Sequence, residues 1–400
     1  MWGWAQLFNL QSRRNLITSL VHSGDCCSIL PEPKKILENG FIYVDSGIIK
    51  DVGKGKGPAC NTIIDHGPGA IIPGLVNAHT HLELSALKKK VDYQKGFKNW
   101  VAELLKQRES ISFETLEDKA KAGIKELAES GCCVVGEIST LGITWEILSE
   151  SGLSGIWFKE FIGNSLNENI KWKKKGTLKL SLAGHAPHTL SPEMLAALKN
   201  ATLKNNLPLS IHLAESEDEL EFLSTGKGEW ADFLTERGVD FGNWHLNEKS
   251  PVQYLNRLKI LDNKTIAVHL IFSEKKDFKI LAEKNTHVCI CPRSNHNLHQ
   301  RLPDLDFMLK SGINVCMGTD SLASTDSLNI FDEMKFTAQS FPEVSPEKII
   351  AMATVNGAKA LGIENSFGTL YPNHMGAFVY VPVNSKKKSD IVEAIVFNNC

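Results

Sequence analysis

From residue 71 onward two kinds of segment alternate, and that rhythm constrains the fold more than any other feature. Short apolar runs read as strands buried on both faces: "AIIPGLVNAHTH", "CCVVGEI", "GIWFKEFIG", "LKLSLAGHAP", "LPLSIHLAES", "TIAVHLI", "HVCICPR" and "INVCMGTDS". Amphipathic stretches with helix signals separate several of them. "TLEDKAKAGIKELAESG" stops at a glycine, "SPEMLAALKNATLKNN" starts with Ser-Pro, and "EKKDFKILAEKN" carries scattered charges. Eight strand candidates in β-α alternation predict an α/β chain with a (β/α)8 barrel over residues 71–359. A doubly wound open sheet is the alternative, weakened because no GxGxxG follows the first strand.

The flanks read differently. "NLITSLV", "GFIYVDSGIIKDVG" and "NTIIDHG" are short β-like runs, the first a strand from Asn15 to Val21, and the Asp-Ser-Gly suits a hairpin turn. Similar runs, "MGAFVYVPV" and "DIVEAIVFN", return near the end. Residues 1–70 and 360–400 are therefore expected to form one small β domain. The leading "MWGWAQLFNLQSRR" has no assigned role.

Composition narrows the class. Hydrophobic residues make up 42%, charged residues 22%, and the formal net charge is -2. This is an ordinary globular balance that argues against nucleic acid or an anionic membrane as partner. No run approaches the roughly eighteen apolar residues of a membrane span. The nine cysteines form no CxxC pair, which suits reduced, buried thiols in a cytoplasmic protein. A small-molecule substrate is the expected partner, with a homo-oligomer open.

In a barrel, functional residues gather where strands end at the C-terminal face. His79 and His81 end the first strand and share one face, with Thr80 turned away. Such a pair is either hydrogen-bonded in isolation or half of a metal site. Later ends add His212 and Glu215 from "SIHLAE", His269 from "AVHLIF" and Asp320 from "MGTDS". His79, His81, His212 and Asp320 supply three neutral nitrogens and a carboxylate, a plausible set for one divalent cation with room for a water. The ion would make hydroxide available near neutral pH. Glu215, at the strand's mouth, is assigned proton transfer. Asp320 can also accept the water's proton, and His269 can hydrogen-bond the attacking oxygen.

Together "PGLVNAHTH", "IHLAE", "VHL", "GTDS" and the stretch from Leu361 to Pro372 resemble the amidohydrolase superfamily, within it the mononuclear cytosine/adenosine-type deaminases and related chlorohydrolases. The resemblance implies a distorted TIM barrel, a β-sandwich built from both termini and one catalytic metal. Zinc leads, with iron or manganese suited to the same ligands. Some members bridge two metals through a carboxylated lysine or a glutamate on a middle strand, and Lys159 and Glu160 stand in about that place. The spacing of His212 and Glu215 resembles the mononuclear type instead. The zinc deaminases with a P-C-x-x-C signature are a different design, excluded because "CPRSN" has no second cysteine.

The resemblance extends to substrate. In deaminases of adenosine-type compounds a histidine in a segment similar to "GHAPHTLSPEML" contacts the substrate, which points to His188. "FKNW" resembles a segment packing over the nucleoside, which points to Trp100. Lys98 and Asn99 stand there in place of the acid of adenosylhomocysteine-type deaminases. Arg293 in "CPRSN" could hold a substrate carboxylate or pair with a structural acid. These segments look most like aminodeoxyfutalosine deaminases, which act on a menaquinone precursor bearing adenine and benzoate. The expectation is a hydrolytic deaminase of that compound. The alternatives are S-adenosylhomocysteine or methylthioadenosine, or a guanine, triazine or cyclic amide. A catalytically idle binding relative is disfavoured because every ligand and Glu215 are present.

Overall fold

Eight parallel strands carry the site, numbered here β1 (Leu75–Thr80), β2 (Cys132–Ser139), β3 (Ser154–Phe161), β4 (Leu178–Gly184), β5 (Leu209–Leu213), β6 (Thr265–His269), β7 (His287–Ile290) and β8 (Val315–Met317). Each pairs in parallel with the next. The computed structural model describes residues 6–9, 19–23, 27–93, 96–164, 166 and 169–397. The ring closes just past β8, where Thr80 and Asp320 form a parallel bridge and Asp320 N donates to His79 O at 3.1 Å.

Every residue of β1, β2, β5, β6, β7 and β8 is buried, as parallel strands covered on both faces require. Two glycines let neighbours crowd β1. A Cβ on Gly136 would lie 2.3 Å from Ala78 O, and one on Gly318 would lie 2.6 Å from His79 O. The helical patterns hold. Helix Phe113–Glu129 is capped by Ser112, whose hydroxyl accepts from Thr115 N, and it buries Leu116, Ala120, Ile124 and Leu127 at helical spacing.

The flanking strands form two small sheets. One runs Gln6–Asn9, Ala377–Pro382, Gly69–Pro73, Cys27–Glu32, Lys35–Glu38; the other runs Ile48–Lys54, Gly40–Asp45, Ser19–Ser23, Thr62–Asp65. Ile29, Ile71 and Phe378 from the first meet Ile42, Val44 and Ile49 from the second in one core, a sandwich containing chain from both ends. The expected hairpin is present. Ser46 and Gly47 both have positive φ (53° and 77°), the two-residue turn that matches strand twist. Residues 15–18 of the first expected strand lie outside the described residues, which take it up at Ser19.

Two expectations change. "AIIPGLVNAHTH" is two strands: Gly69–Pro73 belongs to the sandwich, and the chain breaks at Gly74 before β1 enters the barrel. Asn398 of "DIVEAIVFN", expected as a β run, lies outside the described residues, and residues 390–397 lie in helix Lys388–Phe397. Its Ile391, Val392, Ile395 and Val396 are buried at helical spacing, and it packs on helices Ile330–Ser340 and Pro346–Met352 of the barrel. Tertiary packing overrides the β propensity of its branched residues. All seven cysteines among the described residues are free thiols, six of them buried. No helix among the described residues is long and apolar enough to cross a membrane.

Candidate active site

The alternation of β1 aims His79 and His81 into the barrel mouth, while Thr80 turns outward and donates to Asp320 O at 2.8 Å. His81 Nε2 lies 3.1 Å from His79 Nε2 and 3.3 Å from His212 Nε2. Asp320 Oδ1 is 3.9 Å from His79 Nε2 and 3.7 Å from His81 Nε2. All four residues are buried. The sequence-predicted ligand set is thus brought together from β1, β5 and the turn after β8.

Their surroundings fix which atoms face inward. His212 Nδ1–H donates to His185 O at 2.7 Å, leaving the Nε2 lone pair for the site. Asp320 Oδ2 accepts from Ser294 Oγ at 2.5 Å and Ser324 Oγ at 3.0 Å, leaving Oδ1 free to turn in. Burial, reinforced by the neighbouring imidazoles, holds His79 and His81 well below the ordinary histidine range and lowers His212. Neutral imidazoles are metal-ligating imidazoles.

The donor set fits a divalent ion. Ligands about 2.0–2.1 Å from a tetrahedral metal stand about 3.3 Å apart, close to the two nitrogen separations here. His81 Nε2 faces two other Nε2 atoms at once, and a single proton cannot satisfy both contacts. A cation can.

His269 approaches the same centre, its ligand atom within 4.8 Å of those of His79 and His212. Its Nδ1–H donates to Asn295 Oδ1 at 2.8 Å, so Nε2 faces the cavity, 3.6 Å from Glu215 Oε1. Three strand exits here have left-handed backbone: Ala214 (φ 51°), His269 (φ 77°) and Asp320 (φ 57°). This geometry costs about 1–2 kcal/mol per residue and swings the chain sharply away while the site side chains stay inside. Glu215 Oε1 is approached by His269 and also by His299, whose Nε2 is 3.9 Å away. Burial pushes its carboxyl up, but the pull of the surrounding imidazoles, His269 first and then His212 and His299, outweighs it and holds the group below its usual range.

Glu160, at the end of β3, accepts from Thr140 Oγ1 at 2.6 Å, and its Oε1 lies 3.9 Å from His212 Nδ1. That is the far edge of the imidazole from Nε2, so Glu160 does not join the four-ligand cluster. Lys159 Nζ sits over the Phe161 ring at 5.4 Å, and the residue does not line the cavity.

The centre opens into a cavity of about 160 Å³ walled by helix Phe97–Glu109, His188 and Trp230. Trp100 lines it as expected, held by a 3.4 Å hydrogen bond from Nε1 to Ala323 O. His188 lines it too. Both its ring nitrogens lack partners, and burial, then His185, lowers its pKa to about 3. Arg293 does not line this cavity. It pairs with Asp326, Asp332 (3.7 Å) and Glu333 (3.7 Å), the structural-acid alternative.

Several functional neighbours escaped the sequence reading. His185 lines the cavity and anchors His212 through its carbonyl, yet "GHAPH" was followed only to its second histidine. Ser294 and Asn295 orient Asp320 and His269, yet "CPRSN" was read for its arginine. His299, beside Glu215, carried no local signal.

Comparison with known proteins agrees with this geometry. The Amidohydrolase family profile matches residues 159–399. A 5-methylthioadenosine/S-adenosylhomocysteine deaminase of Moorella thermoacetica is 29% identical over 373 residues, covering 86% of this chain and 81% of that protein. A 5'-deoxyadenosine deaminase of Methanothrix thermoacetophila is 30% identical over 312 residues, 76% of this chain and 70% of that one. The crystal structure of Helicobacter pylori aminofutalosine deaminase, in complex with methylthio-coformycin, superposes with a TM-score of 0.81 at 26% identity, covering 95% of this chain and 96% of that one. The chain belongs to the Amidohydrolase family and is a hydrolytic enzyme acting on carbon–nitrogen bonds.

Proposed function

We propose that this enzyme deaminates an adenine-bearing nucleoside, with aminodeoxyfutalosine as its preferred substrate. The observation that carries the reading is the convergence of His79, His81, His212 and Asp320 on one point, with Glu215 beside them at the head of an aromatic-walled cavity. A divalent ion, zinc in the first place, would be held by those four residues and would lower the pKa of a water to about 7.

The protein's own groups do the rest. Glu215, ionised at neutral pH, takes a proton from the water and delivers it to the ring nitrogen next to the amino-bearing carbon. His269, with Nδ1–H committed to Asn295, offers Nε2 to the hydroxyl as it adds. Asp320 Oδ1 takes the second proton from the added hydroxyl and passes it to the amino group. The carbon–nitrogen bond breaks, ammonia leaves, and hypoxanthine replaces adenine. Trp100 and Trp230 shield the base from water.

The preference for aminodeoxyfutalosine is supported by the likeness to the Helicobacter enzyme over nearly the whole chain. Lys98, paired with Glu229 at 3.7 Å, and Asn99 stand where the resemblance has adenosylhomocysteine-type deaminases place an acid, which counts against that substrate. The Moorella relative favours a second reading, methylthioadenosine or adenosylhomocysteine deamination. The test is a panel of aminodeoxyfutalosine, adenosylhomocysteine, methylthioadenosine and adenosine with the metal-reconstituted enzyme, followed by the ultraviolet change from adenine to hypoxanthine. Turnover is expected, and Glu215→Gln should lose at least about 100-fold while keeping one metal per chain. Silence on all four compounds refutes the adenine reading.

A further inference from the structure

Arg108 is the one arginine or lysine among the described residues lining the catalytic cavity. It stands in the last turn of helix Phe97–Glu109. Phe97, Trp100, Leu104 and Arg108 follow at intervals of three, four and four, and all four line the cavity, so they form one ridge along its wall. At 1.5 Å per residue the ridge is about 16 Å long. Its aromatic end lies at the chemistry, since Phe97 packs on His299 (ring centroids 4.8 Å apart) and His299 faces Glu215. Its cationic end lies toward Thr140 and Glu160, past β2 and β3.

Arg108 is half-buried and its guanidinium is uncommitted. It exerts a field on Glu160, yet no hydrogen bond or ion pair with a described residue engages it. Arg293, by contrast, is held by three acids, and Lys98 by Glu229. A guanidinium kept open on a cavity wall presents a planar fork of donors that matches a carboxylate.

We infer that Arg108 binds a carboxylate at the distal end of the substrate, so that the enzyme selects adenine nucleosides whose 5′ substituent ends in that group over neutral ones. The inference rests on the adenine reading above. With the base at the histidine cluster, the ribose substituent runs outward along the ridge. The chamber's 160 Å³ is smaller than a typical ligand pocket, so this substituent occupies the mouth. Leu104, Leu105 and Ile162, which is 57% exposed, give that mouth an apolar middle, and Arg108 ends it.

The test compares aminodeoxyfutalosine with its methyl ester, which differ only in the charge, on the zinc-loaded full chain and on Arg108→Gln and Arg108→Lys. Turnover is followed by adenine absorbance and binding by quenching of tryptophan fluorescence, with Trp100 and Trp230 as cavity reporters. The parent enzyme should favour the acid by about 10- to 100-fold in kcat/KM, mostly through KM. Arg108→Gln should remove that preference by weakening the acid alone, leaving the ester within about two-fold. Arg108→Lys should keep part of it, a point charge without the fork. Equal losses on acid and ester, or no preference in the parent, overturn the inference. Deamination of both compounds without discrimination defeats the role of Arg108 and spares the deaminase reading. Arg108-dependent binding of the acid without turnover does the reverse, and failure to bind either compound overturns both.

Discussion

Replacing Ser294 by alanine removes the shorter of the two hydrogen bonds that hold the outer oxygen of Asp320. Ser294 Oγ donates to Oδ2 at 2.5 Å. Ser324 Oγ accepts from Ser294 Oγ at 2.9 Å and stands 3.0 Å from the same carboxylate oxygen and 3.1 Å from Ser321 O, so its single proton is divided between two acceptors. A hydrogen bond to a charged group contributes about 1.5–3 kcal/mol. In Ser294→Ala the Ser324 proton turns wholly to Asp320 and recovers part of this. The expected loss is about 1–2 kcal/mol, a drop in metal affinity of roughly 5- to 30-fold, within the range for residues that orient a metal ligand. Ser324→Ala should cost less, because Ser294 already points at the carboxylate. The double variant should lose more than the two singles added, since each hydroxyl substitutes for the other. The assay is competition with a chromophoric chelator at fixed pH, with turnover measured at saturating metal. An affinity within about two-fold of the parent in Ser294→Ala, together with strict additivity in the double variant, would refute the claim that this pair aims Asp320.

Other outcomes follow from the same structure. Arg293→Met should lower stability by about 1–3 kcal/mol in a urea titration, because buried Glu333 loses its cationic neighbour and keeps the hydrogen bond from the backbone N–H at position 293. It should leave KM for every substrate unchanged; a rise in KM would return Arg293 to the binding site. His287, at the opposite end of the barrel from the metal ligands, has its pKa lowered to about 4 by burial and then by Lys359. The unfolded chain therefore binds a proton there between about pH 6.5 and pH 4 that the folded chain refuses. This contribution is complete above pH 6.5 and is lost as pH falls through that window. His287→Gln should flatten the decline in Tm between pH 6.5 and 4, and an unchanged slope would count against it. Exhaustive chelation should abolish turnover and leave the fold intact by circular dichroism, because the ligands sit on strands held by the barrel core.

The legible part of the site and the hidden part differ in how far apart their causes lie along the chain. His79 and His81 could be read because a strand's period of two fixes their common direction within three residues. His212 and Asp320 could be read because each closes an apolar run, and the barrel brings run ends to one face whatever the loops do. The orientation of those same ligands depends on contacts of another kind: Asp320 on Ser294, 26 residues away, and His212 on the carbonyl of His185, 27 residues away. No periodicity connects such pairs. They exist only once β4 lies beside β5, and once the turn after β7 lies beside the turn after β8. The same distinction explains Arg293 and Arg108. "CPRSN" advertised an arginine at a strand end, where the rule for ligands looks for function, but Asp326, Asp332 and Glu333 return to it after β8 and consume its charge. Arg108 sits in a helix whose sequence, "FKNWVAELLKQRE", reads as an ordinary amphipathic stretch. Its ridge becomes a cavity wall because Trp100 and Leu104 pack with Leu87, Val91 and Leu298, and Trp100 hydrogen-bonds Ala323 O in the segment after β8. Strand-end chemistry therefore predicts which atoms meet the reacting carbon, while substrate selection is written on elements laid over the barrel afterwards.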